Sequence, residues 1–315
     1  MARILLKVKT KKHWLLVLLF SVIIAISGAY LSSVNIPVLE PKGVIADKEF
    51  RLLITVVLIM CIVVVPVFIL LAYFIYKYRD DNPSKKRYSP DWDGNRLIEG
   101  IWWLIPSVII GVLSVITWNA TYALNPYRPI KSINPPIVVQ VIALDWKWLF
   151  IYPAQHLASV NQLNIPLNTP VHFYLTSDAP MNSFWIPQLS GQIYCMPGMR
   201  TQLYLEANQA GTYKGWSANI SGIGFAGMMF NTTATSRSGF NRWVAKIQAD
   251  HNLPNLSFGA YNRLAKPTLY VPARYYRQPA TDLFQAIIDK YMLPGFSYGR
   301  SLTPVSSPAT GKGVV

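Results

Sequence analysis

Residues 52–76 read LLITVVLIMCIVVVPVFILLAYFIY, 25 consecutive positions without a charged side chain. As a helix rising about 1.5 Å per residue, this stretch crosses the roughly 30 Å hydrocarbon core of a bilayer with some tilt. Pro66 is a candidate kink within it. Residues 97–118, LIEGIWWLIPSVIIGVLSVITW, form a second such stretch, with tryptophans towards its ends as suits a membrane interface. Its single ionisable residue is Glu99, close to its start. Together the two define a transmembrane hairpin within residues 32–119.

The flanks set the direction of insertion. Between the spans lie Lys77, Arg79, Lys85, Lys86, Arg87 and Arg96, whereas Ser32 to Phe50 carries only Lys42 and Lys48. Basic loops stay on the cytoplasmic side, so everything after Trp118 is expected outside the cytoplasm. The first 31 residues contain another apolar block, Trp14 to Leu31, behind Arg3, Lys7, Lys9, Lys11 and Lys12. That order fits a signal sequence ending at Ser27, Gly28 and Ala29, and the block is equally long enough to remain as an anchor.

The composition agrees with a membrane-embedded front and one soluble domain behind it. Only 14% of the 315 residues are charged and 52% are hydrophobic, and the apolar excess is concentrated before residue 119. The net charge of +15 does not imply nucleic acid, because the basic residues flank apolar spans or are thinly scattered. Cys61 and Cys195 cannot build a disulfide framework, and Cys61 lies inside an apolar run.

From Pro136 the pattern changes to short runs rich in Val, Ile, Tyr, Phe and Trp, separated by Gly, Pro and Asn: VVQVIALDWKWLFIY, PVHFYLTS, NSFWIP, GQIYCM, RTQLYLEA, TYKGWSA and AGMMFNTTAT. This rhythm predicts an all-β antiparallel sandwich or barrel over residues 120–235. Phe240, Trp243, Val244 and Ile247 then fall at helical spacing with Ser238 as a candidate cap, and Leu283, Phe284, Ile287, Ile288 and Tyr291 mark another helix. Residues 236–300 are therefore expected as a C-terminal helical extension, and 301–315 as a disordered tail. No phosphate-binding glycine loop or serine nucleophile elbow is present.

Three segments, Asp145-Trp-Lys-Trp-Leu-Phe-Ile-Tyr-Pro153, Met181-Asn-Ser-Phe-Trp-Ile-Pro187 and Gly191-Gln-Ile-Tyr-Cys-Met-Pro-Gly-Met199, resemble subunit II of the haem–copper oxidases, specifically the cytochrome bo-type quinol oxidase branch. The resemblance runs from about Leu39-Glu-Pro-Lys-Gly43 to Tyr291, through Glu99 with Pro106, Leu124-Asn-Pro126, Trp243-Val-Ala-Lys246 and Leu264-Ala-Lys-Pro267. It implies a cupredoxin-like sandwich behind the membrane hairpin. Copper-bearing relatives carry a His-Ser-Phe stretch and then Cys-x3-Cys-x3-His-x2-Met. Here the same spacing reads Asn182-Ser183-Phe184, then Ser217, Ser221, Phe225 and Met228.

The chemistry of that difference stands without the family. Two coppers require thiolates and imidazoles, whereas serine hydroxyls stay neutral and hard, an amide is a weak donor and phenylalanine has no lone pair. Of the five positions only Met228 retains a donor suited to copper, so these residues are expected to be a vestigial site that binds no metal. The four histidines, His13, His156, His172 and His251, are far apart in sequence. A mononuclear site of Cys195, His172 and Met199 would need the fold to converge them; the plainer expectation is a buried strand cysteine and a surface histidine. Met181, Met196, Met199, Met228 and Met229 are expected to pack in the core.

The resemblance implies a proton-pumping oxidase of the aerobic respiratory chain in a bacterial inner membrane, with the outer domain in the periplasm. This chain would be a structural subunit that binds no cofactor itself, capping a catalytic subunit I that holds haem and copper beside other oxidase subunits and membrane lipid. Ubiquinol, or menaquinol, would be the electron donor of the complex. Cytochrome c would not, because residues 119–315 carry 15 Lys and Arg against 6 Asp and Glu, and a basic carrier needs an acidic docking face. Trp146 and Trp148 match the aromatic stretch beside the copper site in relatives; core or interface packing is the competing role, and Asp145 is a candidate partner of the large subunit. Glu99, seven residues before Pro106, matches a glutamate implicated in proton uptake, against a role as an interfacial acid beside Arg96.

The lipoprotein cysteine common in quinol-oxidase relatives is absent, since alanine follows Ile26-Ser27-Gly28. Two rival readings are separable. A copper-bearing cytochrome c oxidase subunit II requires the missing cysteines and histidines. A non-enzymatic periplasmic binding or assembly protein with a cupredoxin fold would not co-purify with a haem-bearing subunit.

Overall fold

The computed structural model describes residues 36–78 and 94–292, together with Val22, Ile26 and Gly28. The rest of the N-terminal block, most of the basic loop between the spans and the tail from Ser301 lie outside the described residues. The chain divides into two compact units, Met1–Glu40 and Pro41–Val315. In the first, Pro37–Leu39 forms a single 3-10 turn.

In the second unit the two apolar runs fold as helices longer than themselves. Helix α1 spans Val44–Lys77 and helix α2 spans Arg96–Ala123. Asn95 starts α2: its side-chain oxygen accepts from the backbone N–H of Leu97 at 3.0 Å and of Ile98 at 3.3 Å, satisfying donors that a first turn leaves open. Pro66 and Pro106 lie inside the helices and end neither. The most apolar stretches of both helices bury nothing against the rest of the chain, so the surface they present suits lipid or a membrane partner.

Among the described residues eleven strands follow: β1 Ile137–Leu144, β2 Lys147–Tyr152, β3 Leu157–Val160, β4 Gln162–Pro166, β5 Val171–Ser177, β6 Asn182–Trp185, β7 Ile193–Cys195, β8 Thr201–Leu205, β9 Gly211–Ser217, β10 Met229–Thr235 and β11 Arg274–Arg277. They form a six-stranded sheet ordered β11-β3-β2-β1-β5-β8 and a five-stranded sheet ordered β4-β10-β9-β6-β7. The expected wholly antiparallel pairing is corrected at two places, since β1 runs parallel to β5 and β10 parallel to β4. Side-chain alternation encodes which face a residue takes, not the direction of its neighbour strand. The long run 138–152 is also two strands: it reverses at Asp145–Trp146, pairing Leu144 with Lys147, and Trp146 takes a φ of 61°.

One core lies between the sheets. Phe184 stacks on Phe230 with centroids 5.2 Å apart, and Trp148 meets both rings edge-on. A second core covers the outer face of the six-stranded sheet, where Ile142, Leu144, Leu149 and Ile151 pack under helices α4, Phe258–Leu264, and α5, Leu283–Met292. Burial on both faces explains why β2 is buried at every position. Helix α3, Arg237–Ala249, inserts Phe240 and Ile247 into the first core. Its cap is Ser236 rather than the expected Ser238: the Ser236 hydroxyl accepts from the Gly239 N–H at 3.1 Å, while Ser238 already lies within the first turn. The extension is not purely helical, because β11 joins the large sheet by pairing with β3.

Candidate functional site

The end of β9 lies against the start of β6, which brings Asn182 and Ser217 together. The Ser217 hydroxyl is 3.0 Å from the Asn182 side-chain oxygen and 3.1 Å from the Asn219 carbonyl, and the Asn182 amide donates to the Pro180 carbonyl at 2.7 Å. Met228 joins them: its carbonyl accepts from the Ser217 N–H at 3.3 Å, and its side chain is fully buried. Ser221 and Phe225 sit on the loop connecting Ser217 to Met228. The Ser221 hydroxyl is buried and has no hydrogen-bond partner among the described residues, and half-buried Phe225 opens a 3-10 turn. An amide already engaged on both sides, two neutral hydroxyls, a phenyl ring and one thioether are not a donor set for a copper pair.

The rival ligands do not form a site either. Cys195 on β7 sits opposite Asn182, fully buried, and burial pushes its thiol far above the ordinary range, so it rests as a neutral thiol in the core. His172 is on β5 in the other sheet, with Nδ1 3.1 Å from the Tyr204 hydroxyl and Nε2 3.0 Å from the Gln202 side-chain oxygen. It is buried, not the expected surface histidine, because its ring stacks on Tyr204 at 4.0 Å; burial holds its pKa below the usual value. Of the methionines expected in the core only Met228 is fully buried. Met181, Met199 and Met229 are exposed, the first two on irregular connecting segments and the third facing outward from β10. Among the described residues no group of three or more His, Cys, Asp or Glu could hold a metal ion.

Trp148 and Trp146 have separate roles although one residue apart. Trp148 is fully buried between Phe184 and Phe230, which removes it from any subunit interface. Trp146 is half-buried on the outside, donating from its indole N–H to the Ser221 carbonyl at 3.3 Å. It lies so close to Gly224 that a Cβ there would fall 2.3 Å from the indole and 2.5 Å from Leu269. The segment 266–271 thus crosses the loop between Ser217 and Met228. Lys147 ties it down, its buried ammonium reaching the Lys266 carbonyl and the Thr268 hydroxyl at 2.8 Å and the Asp145 carbonyl at 3.1 Å. Burial lowers its pKa to about 8, opposed by the nearby Asp145 charge and assisted by Arg274. Asp145 is raised, chiefly by its own burial.

Sequence reasoning missed a second anchor of this extension. Asp178, buried just after β5, accepts from the Tyr261 hydroxyl at 2.5 Å, the Lys290 ammonium at 2.6 Å and the Tyr291 hydroxyl at 2.7 Å. Its partners are 83 to 113 residues away, so no local spacing announces them. A third missed feature is the junction with the hairpin. Lys42, Val44 and Ala46 donate backbone N–H groups to the carbonyls of Gln188, Glu206 and Leu189, and Tyr204 donates to Pro126 at 3.2 Å. Glu99 stands apart from all of these, exposed in the first turn of α2.

Comparison with known proteins places these features. Residues 143–234 match the family described as cytochrome c oxidase subunit II, periplasmic domain, and residues 254–295 match the oxidase aromatic-rich motif. The chain is 46% identical over 269 residues to cytochrome bo(3) ubiquinol oxidase subunit 2 of Pseudomonas aeruginosa, covering 85% of this chain and 80% of that one. It is 44% identical to the protein of the same name from Pseudomonas putida, over 90% of this chain and 88% of the other. Against ubiquinol oxidase subunit 2 of Acetobacter aceti the identity is 43%, over 84% and 86%. The sandwich behind the two apolar helices is therefore the cupredoxin-like domain of this group.

Proposed function

The chain belongs to the ubiquinol oxidase subunit 2 family, and from that membership we infer that it is the second subunit of a respiratory-chain oxidase that oxidises quinol and reduces oxygen to water. Within that complex it acts as a non-redox structural subunit. The observation that carries this reading is the donor set on the retained copper-site frame: Asn182, Ser217, Ser221 and Phe225 stand where copper-bearing relatives place imidazoles and thiolates, and Met228 alone retains a copper donor. A chain without that centre cannot relay electrons from a soluble haem carrier. The donor must then reach the complex through the bilayer, as a quinol does.

The remaining roles follow from this premise. The sandwich caps the outer face of a catalytic subunit I that holds haem and copper, with Asp145 and Trp146 on the side offered to that partner. Subunit I and the other oxidase subunits cover the apolar faces of α1 and α2 together with lipid. The hairpin lies in a bacterial inner membrane with its basic loop in the cytoplasm and the sandwich in the periplasm, as the distribution of Lys and Arg supports. Glu99, at the cytoplasmic mouth of α2, feeds protons to the pumping machinery. Trp148 serves only the core.

The test is oxygen uptake by the purified complex with ubiquinol and reduced cytochrome c in parallel, together with its copper-to-haem ratio. Quinol should support turnover and cytochrome c should not. Copper beyond that of the oxygen-reducing site, with turnover on cytochrome c, would overturn the reading.

A further inference from the structure

Where the two spans leave the bilayer, the chain forms a half-open cleft of about 380 Å³, within the range of small-molecule sites. Its wall includes Val44, Ile45 and Lys48 on the first turns of α1, Arg128 and Lys131 on the segment after α2, and Tyr204 on β8. The hydrogen bonds that stitch Val44 to Glu206 and Tyr204 to Pro126 hold this wall open between the hairpin and the sandwich.

The depth of the cavity follows from the helices. Lys48 stands four residues before Leu52, where the charge-free run begins, about 6 Å beyond the hydrocarbon. Helix α2 runs past Trp118, an interface residue, to Ala123, about 7 Å further. Both measurements put the cavity in the headgroup layer, which adds roughly 5–7 Å to each side of the core.

Its charge is one-sided. Lys48, Arg128 and Lys131, all exposed at its rim, share the lining with a single carboxylate, Glu49, which lies against Gly191 with Oε1 2.5 Å from where a Cβ would stand; Arg128 also donates to the Tyr122 carbonyl at 3.4 Å. Asp47 is already paired with Arg51 at 2.9 Å, and among the described residues no carboxylate is ion-paired with any of the three cations. A quinol head is neutral and would leave these charges unanswered; a phosphodiester answers them with charge-assisted hydrogen bonds. We propose that the cavity holds the headgroup of a phospholipid from the leaflet on the sandwich side, its phosphate between Lys48, Arg128 and Lys131 and its glycerol end beside Val44 and Ile45. The site requires only that α1 and α2 cross a bilayer, so it stands or falls independently of the electron donor.

The experiment counts phospholipid retained by the purified oxidase complex during graded delipidation, using native mass spectrometry. The wild-type complex should keep one phospholipid after the rest have gone. The Lys48→Ala/Arg128→Ala/Lys131→Ala variant should lose it, with retention down about tenfold or more, as expected when even one charge-assisted contact is removed. The Lys48→Arg/Lys131→Arg variant should keep it. Equal retention by wild type and the triple alanine variant, or retention of inorganic phosphate in place of lipid, overturns the proposal. Should the triple variant fail to assemble with haem, Lys131→Glu at its exposed position is read by the same criterion.

Discussion

At the scale of single residues, the most consequential carboxylates are one that is exposed and one that is buried. Glu99 sits in the first turn of α2, where the helix dipole favours negative charge and the membrane boundary does not. If it feeds protons to the pumping machinery, Glu99→Gln slows quinol-driven proton release while leaving haem content and assembly unchanged; a variant with wild-type proton release removes the role. Asp178 does the opposite kind of work. Its carboxylate closes a buried ion pair with Lys290 and accepts from two tyrosines, so Asp178→Asn strands an ammonium in the interior. Breaking such a pair costs about 3–5 kcal/mol. Denaturant unfolding of the full-length chain in detergent, followed by tryptophan fluorescence, should show a loss of that order.

At the scale of elements, the C-terminal extension is a strap rather than an appendage. Strand β11 extends the large sheet, α4 and α5 roof its outer face, and the segment 266–271 is held by Lys147 from below and by Asn161, whose amide donates to the Val271 carbonyl at 2.7 Å. Lys147 gives the strap a pH signature. Its pKa is near 8 when folded and 10.5 when not, so below pH 8 both states hold the proton and the cost of burying the ammonium is fully present. Between pH 8 and 10.5 only the unfolded chain holds it, and stability rises. In Lys147→Met that rise disappears from a pH series of unfolding midpoints, and proteolysis near Lys266 to Tyr270 becomes faster at neutral pH because the strap has lost its donor.

At the scale of the whole molecule, the hairpin and the sandwich act as one body because backbone joins them. Gly43 is where backbone meets backbone in that junction: a Cβ there would meet the Leu189 carbonyl at 2.6 Å and the Glu206 carbonyl at 2.9 Å, neither of which can swing aside. Gly43→Ala should therefore detach the start of α1 from the sandwich without unfolding either. Hydrogen exchange is the measurement: the amides of Lys42, Val44 and Ala46 should exchange faster while strands β1 and β5 keep their protection. Unaltered protection at these amides would mean that the backbone absorbs the methyl elsewhere.

How much of this was legible before folding depends on the range over which each feature is encoded. Two spans, the strand-rich rhythm after Pro136, the spacing of Asn182, Ser217, Ser221, Phe225 and Met228 and the helices around Phe240 and Ile287 are local patterns, and the amino-acid order alone determined them. The hairpin turn at Asp145–Trp146, the parallel pairings of β1 with β5 and β4 with β10, and the short strands β3, β4 and β11 were not legible, because partner and direction are settled by contacts distant in sequence. The same holds for the burial of His172, Lys147 and Asp178. A polar side chain goes inside only when other parts of the chain supply its hydrogen bonds, and those donors and acceptors exist at one place only after the sheets have packed.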